Sequence, residues 1–405
     1  MRQILKLQFL VFAVLALTAC ENYFGDKTDI GFIDVPIADA RQVAYVPIQP
    51  PLTDFTRPVD ICIGFDGLIY IVDEGSEEVI ALDESDRILG RSAIQGATSV
   101  TQDRRFDLLV IGTADTLISN NTKTFTAIYR LRMIGSSGYN ISNATIINKI
   151  VHPFYEGSSF SSNDDFVKFN RIGIIANNSD VERNNQWYVS RTGPGTSTLN
   201  PDDAIVWFGN DDERISNISV NTSSGLFRDY FDNPVGLTSL SQPPQFTAIN
   251  SNDFLFTSSE SDNSLKVQYI QFLETEFGAE FRPLILASSG DTSLADGYIN
   301  SPGKFNNPVD VTVAGDGTRY IFVADAGSDS IHQFTATGLE GVLPPPATGI
   351  SKYQNTSFGG TSTPGSPELT KFNDPMSVAY FNEILYVADA GNGRVLRFKL
   401  TTDFD

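Results

Sequence analysis

Two aspartates, Asp60 and Asp310, stand at the same place in two similar segments, each two residues after a proline. Carboxylates that a repeat brings together are hard oxygen donors. They suit a cation such as Ca2+, or a polar ligand; they equally suit capping strand ends or binding water. Three more aspartates, Asp73, Asp325 and Asp389, each close an apolar run just ahead of a turn. An aspartate so placed usually accepts backbone amides. The chain has only two histidines, His152 and His332, thin material for a histidine-based metal site or catalytic machine. Cys62, in Ile61-Cys62-Ile63, reads as a small buried hydrophobe. No phosphate-cradling loop, zinc spacing or nucleophile elbow occurs.

A second set places aromatic residues beside acids in long stretches without strand pattern. Tyr155, Phe160 and Asp164 lie in one, Tyr230 in another, Tyr298 in a third. Rings beside carboxylates suit a sugar surface or a protein hot spot. The same rings would also pin long loops to the body beneath them. Asp60, Asp310, Tyr155, Phe160, Asp164, Tyr230 and Tyr298 are therefore the candidate binding residues. None is expected to be catalytic, and no metal ligand set is assigned.

These residues are positioned by a repeat. Phe55 to Leu82, Phe305 to Phe334 and Phe372 to Phe398 align with one another. Each opens with an aromatic residue, two spacers and a proline, where a missing amide donor costs a first strand little. A β-rich run, a turn, and a second run ending at Asp73, Asp325 or Asp389 follow. Asp66-Gly67 and Asp316-Gly317 are strong hairpin signals. Units of three or four strands at this spacing predict propeller blades.

The string Tyr-Val-Ala-Asp-Ala-Gly-Asn-Gly-Arg at 386–394, behind a proline-led strand, resembles the NHL repeat. That resemblance implies an all-β, six-bladed propeller. Divergent blades then fit Ala97 to Arg132, a stretch from Phe169, and one from Phe231. The last repeat stops after its third strand, and Gln42 to Ile48 has no blade of its own. This N-terminal strand is expected to complete the last blade and close the ring, leaving no open edge. Turns between second and third strands share one face with the blade-to-blade links. Most long insertions fall there, including the Pro-, Gly- and Ser-rich Leu343–Pro367, whose composition reads as flexible surface loop. Long loops on a rigid frame are where binding evolves. Propellers of related form also host enzymes, so a calcium-dependent hydrolase, lactonase or lyase acting at the channel is the alternative.

Leu17-Thr18-Ala19-Cys20 follows a short apolar run and the basic Arg2 and Lys6. The pattern is that of a secretory signal, too short to span a bilayer. It resembles the bacterial lipobox, which implies cleavage before Cys20 and acylation of its thiol. The expected layout is a signal peptide over 1–19, a lipid-anchored tether over 20–40 and a propeller over 41–405. The implied location is the outer membrane, on its periplasmic or cell-surface side. A net charge of −21 repels phosphate backbones and argues against nucleic acid. The expected partners are the membrane, through the anchor, and an envelope protein or glycan.

Overall fold

The structure, a computed structural model, describes residues 43–404 apart from 137, 177–181, 242–250, 261–264, 277 and 287–296. The predicted signal peptide, Cys20 and the tether lie outside these residues.

Side chains along a strand point alternately to its two faces. In Ile69–Asp73 every residue is buried. Ile69 and Ile71 pack towards one neighbouring sheet, Tyr70 and Val72 towards the other. Strands covered on both faces read as continuous apolar runs, which is why the repeats lack polar alternation.

Six blades result, each with four antiparallel strands; the sheet of blade 4 also carries Val220–Thr222, parallel to its outer strand, and Gly225–Phe227 beyond it. Blade 1 comprises Pro58–Ile63, Ile69–Asp73, Glu78–Leu82 and Ile88–Ala93. Blade 2 comprises Ser99–Gln102, Asp107–Ile118, Asn121–Arg132 and Thr145–Val151. Blade 3 holds Lys168–Ile175, Gln186–Thr192, Ala204–Phe208 and Arg214–Asn217. Blade 4 holds Pro234–Ser239, Phe254–Ser258, Val267–Thr275 and Gly278–Leu284. Blade 5 holds Pro308–Val313, Ile321–Asp325, Ser330–Phe334 and Phe358–Gly359. Blade 6 is built from Pro375–Phe381, Ile384–Asp389, Arg394–Leu400 and, outermost, Tyr45–Leu52. The strands of each sheet pair in that order, and the six first strands contact one another around an axis. One apolar cluster fills each of the six blade interfaces. The protein is a six-bladed β-propeller.

The ring closes as expected. Tyr45–Leu52 runs antiparallel to Arg394–Leu400, with Tyr45 opposite Leu400 and Pro47 opposite Phe398. Two features differ from the sequence reading. The Leu343–Pro367 stretch is not simply surface loop, because it supplies Phe358–Gly359, the outer strand of blade 5. Gly359 permits this: its φ is +138°, and a Cβ there would lie 2.4 Å from the Asp329 carbonyl oxygen. A two-residue strand carries no periodicity to read. In blade 2 the second and third strands pair without interruption from Asp107–Arg132 to Ile118–Asn121. They outrun their neighbours, so residues 114–125 form a two-stranded arm on the face that carries the links.

Candidate functional site

In five first strands the pairing register shifts near the start, directly after the opening Pro58, Pro234, Pro308 and Pro375 and, in blade 3, after the second residue, Phe169. A bulge bends a strand and re-aims its side chains. Here it turns Asp60, Arg171, Asp310 and Ser377 to the axis. Gly236 takes the matching place in blade 4. A Cβ on it would meet the Asp310 Cα at 2.9 Å and the Val309 carbonyl oxygen at 3.0 Å. Gly236→Ala is therefore expected to cost about 1–3 kcal/mol through backbone displacement, read as a lower denaturant midpoint.

Asp60 and Asp310, far apart in sequence, are brought together around Arg171. The Arg171 Nε lies 3.6 Å from Asp60 Oδ1 and 3.5 Å from Asp310 Oδ1. Its Nη2 donates to the Val59 and Met376 carbonyls at 2.9 Å each, and Nη1 to the Thr98 carbonyl at 3.2 Å. Burial opposes the Arg171 charge, yet Asp60 and Asp310 outweigh it and hold its pKa above the usual value. Ser377 Oγ sits between the carboxylates, 2.9 Å from Asp60 Oδ1 and 2.7 Å from Asp310 Oδ2.

The axial residues therefore do not fit the Ca2+ that two carboxylates suggested. Such an ion gathers oxygen donors around itself. Here the guanidinium stands between the carboxylates and already takes three of the surrounding carbonyls. Arg171 lines two spaces, a small polar cavity of about 40 Å³ that also holds Asp60, Asp310, Thr101 and Thr312, and a mouth of about 290 Å³. The mouth opens among Arg57, Glu74, Lys168, Asn170 and Met376.

The three strand-ending aspartates act as clips. Asp73 accepts the Thr56 and Arg57 amides at 3.0 and 2.6 Å. Asp325 accepts those of Asn306 and Asn307 at 2.8 and 2.7 Å, and Asp389 that of Asn373 at 2.7 Å. Each fastens the segment leading into its blade's first strand.

On the link face, blades 2 and 3 carry a platform built around a buried cation. Arg191, at the end of a second strand where blades 1, 5 and 6 have the clip aspartate, is 1% exposed. Its guanidinium donates to the Tyr155 hydroxyl at 2.7 Å and the Glu156 carboxylate at 2.5 Å. It also donates to the Pro201 and Asp202 carbonyls at 2.9 and 2.8 Å. One side chain thus ties the 152–166 link to the 193–203 loop. Lys123 of the arm pairs with Asp165 and stands 4.5 Å from the Phe160 ring centroid. Phe125 packs on Phe154 and Phe160. His152 Nε2 meets Asp164 Oδ1 at 3.1 Å; burial, then the Arg191 charge, holds its pKa below the usual value.

Several predicted binding residues thus hold loops in place. Tyr155 is tied down by Arg191, against Phe169 and Phe208. Phe160 lies between the arm and its link. Asp164 caps the short turn at Ser162–Phe166 and holds His152. The Tyr230 hydroxyl donates to Gln268 Oε1 at 2.6 Å, and Tyr298 bridges to Leu339. Tyr230 and Tyr298 belong to other links than the platform. Arg171 and Arg191 were missed by the sequence reading. The available signal was a cation at a repeat position that holds aspartate elsewhere, since Arg171 answers Asp60 and Asp310, and Arg191 answers Asp73.

No family model matches the chain, and no curated protein matches it. Solved structures are similar in chain path. Virginiamycin B lyase from Staphylococcus aureus matches with 11% identity and a TM-score of 0.43, over 88% of this chain and 99% of its own. An aldose sugar dehydrogenase from Streptomyces coelicolor matches at 10% and 0.48, over 89% and 99%. An auxiliary nutrient binding protein from Bacteroides thetaiotaomicron matches at 12% and 0.48, over 85% and 69%.

Proposed function

We propose that this chain is a binding protein of the cell envelope, an NHL-type propeller tethered to the outer membrane by acyl chains on Cys20. Its recognition surface is the platform on blades 2 and 3, and its partner is another envelope protein. One observation carries this reading. Leu117 on the arm, Phe154 and Phe166 in the link and Leu199 in the adjoining loop are 68%, 38%, 69% and 72% exposed. Leu117 and Phe154 line one open space, and large apolar side chains exposed on an otherwise acidic protein mark an interaction surface. The elements bearing them are locked by Arg191 and by the Lys123–Asp165 pair, so little ordering entropy is lost on binding. Aromatic and apolar anchors on a rigid base suit a protein better than a glycan. At the axis, Arg171 and Ser377 already engage both of the carboxylates that the alternative, a channel enzyme, would use.

Replacing Leu117, Phe166 and Leu199 together with serine should leave the unfolding midpoint almost unchanged, since all three face solvent. Crosslinking on intact cells, then purification of the tagged protein, should recover an envelope protein in near-equal amount with the wild type and lose it with the variant. Equal recovery from both would remove the platform as the recognition surface.

A further inference from the structure

We propose that the propeller axis is a proton-binding site, in which Asp310 takes up one proton and passes a hydrogen bond through Ser377 to Asp60, beside Arg171. The contacts of Ser377 need one more hydrogen than two ionised carboxylates leave there. Ser377 Oγ has two carboxylate oxygens within hydrogen-bond distance, 2.9 Å to Asp60 and 2.7 Å to Asp310. The Ile61 amide also donates to it at 3.2 Å. A hydroxyl has one hydrogen to give and can accept twice. With both carboxylates ionised, one of the two contacts is an oxygen facing an oxygen with no hydrogen between them. That is repulsion at a site buried away from water.

One added proton satisfies every contact. It binds Asp310 Oδ2, forming a carboxylic acid whose O–H donates to Ser377 Oγ. The Ser377 hydroxyl then donates to Asp60 Oδ1. Backbone amides distinguish the two acids. Asp60 accepts the Val100 amide on Oδ2 at 2.8 Å, and on Oδ1, at 3.0 Å, it shares with Ser377 the one hydrogen of the Ile61 amide. Asp310 accepts one, from Val378 on Oδ2 at 3.0 Å. Amides pointed at a carboxylate favour its charged form, so the proton belongs on Asp310.

Charge agrees with the count. Around Asp310, blade 1 presents Asp60 and blade 3 presents Arg171; the first strands of blades 4 and 6 present Gly236 and Ser377, neither charged. Two carboxylates against one guanidinium leave an excess negative charge, and one proton removes it. The Arg171 side chain is 10% exposed, and its Nε has no hydrogen-bond partner. It faces the two carboxylates across the small polar cavity, which has room and donors for water. Burial, the largest influence, pushes the Asp310 carboxyl up to about 6 against the pull of Arg171.

The sign of the effect follows. Between the unfolded value of 3.8 and about 6, the folded state holds a proton that the unfolded state has released. Stability from this site is therefore full below that window, falls as pH rises through it, and is level above it.

The test is denaturant unfolding of the full chain from pH 3.5 to 8, wild type against Asp310→Asn, which has no carboxyl to titrate. The ratio of wild-type to variant folding constants should fall about 50-fold between pH 4 and 6.5. Parallel profiles would overturn the proposal. Should Asp310→Asn fail to fold, carboxyl 13C titration of the wild type decides. One aspartate titrating well above the others and protected from solvent supports the site, and all aspartates titrating in the ordinary range defeats it.

Discussion

Replacing Arg171 with methionine should lower the free energy of unfolding by about 3–5 kcal/mol, the usual cost of removing one partner from a buried ionic group. Methionine fills much of the volume, so the loss reports charge rather than a void. Asp60 and Asp310 would be left facing each other across the axis, 4% and 5% exposed. The carbonyls of Val59, Thr98 and Met376 would lose their donors as well. Adding Asp310→Asn to Arg171→Met should recover part of the loss, because it removes one of the stranded charges. Groups in one network do not contribute additively. Chemical denaturation of the single and double variants measures both quantities. A single variant as stable as the wild type would mean that Arg171 does not hold the axis.

The second large effect is expected at the closure. Deleting residues 43–52 removes the outer strand of blade 6 and opens the edge of Arg394–Leu400. Tyr45, 6% exposed, stacks on Phe358 with centroids 5.6 Å apart and meets Phe322 edge-on at 6.1 Å. It thereby joins blade 6 to blade 5. The deletion should abolish cooperative folding and yield an aggregating chain, because an exposed strand edge templates pairing. A graded version separates contact from connectivity. Tyr45→Ala should cost about 3–5 kcal/mol as a large-to-small core change. Val46→Ala, one residue on and 38% exposed, should stay within about 0.5 kcal/mol. Equal costs at the two positions would mean that strand pairing, not packing, fastens the ring.

The clip aspartates were legible because each precedes a tight turn, a local arrangement that chemistry and spacing reveal together. The aromatic link residues were visible as candidates but not in their roles. Tyr155 has the same composition signal whether it meets a ligand or Arg191, and only burial distinguishes the two. Leu117 and Leu199 escaped notice because a lone exposed apolar residue carries no period.

By itself the sequence determined the strand-rich repeats, their hairpins, the blade count and the closing strand. The repeats and hairpins depend on residues close along the chain, through side-chain alternation, turn chemistry and proline at a strand start; the closing strand was legible as the complement of an unfinished final blade, although its pairing joins the two ends. Tertiary structure alone decided what occupies the axis. Asp60, Arg171, Asp310 and Ser377 come from four blades, and their meeting requires the ring to close. Two aspartates separated by 250 positions look the same in sequence whether a cation, water or a guanidinium lies between them. The choice is electrostatic and acts only across the few ångströms that folding creates.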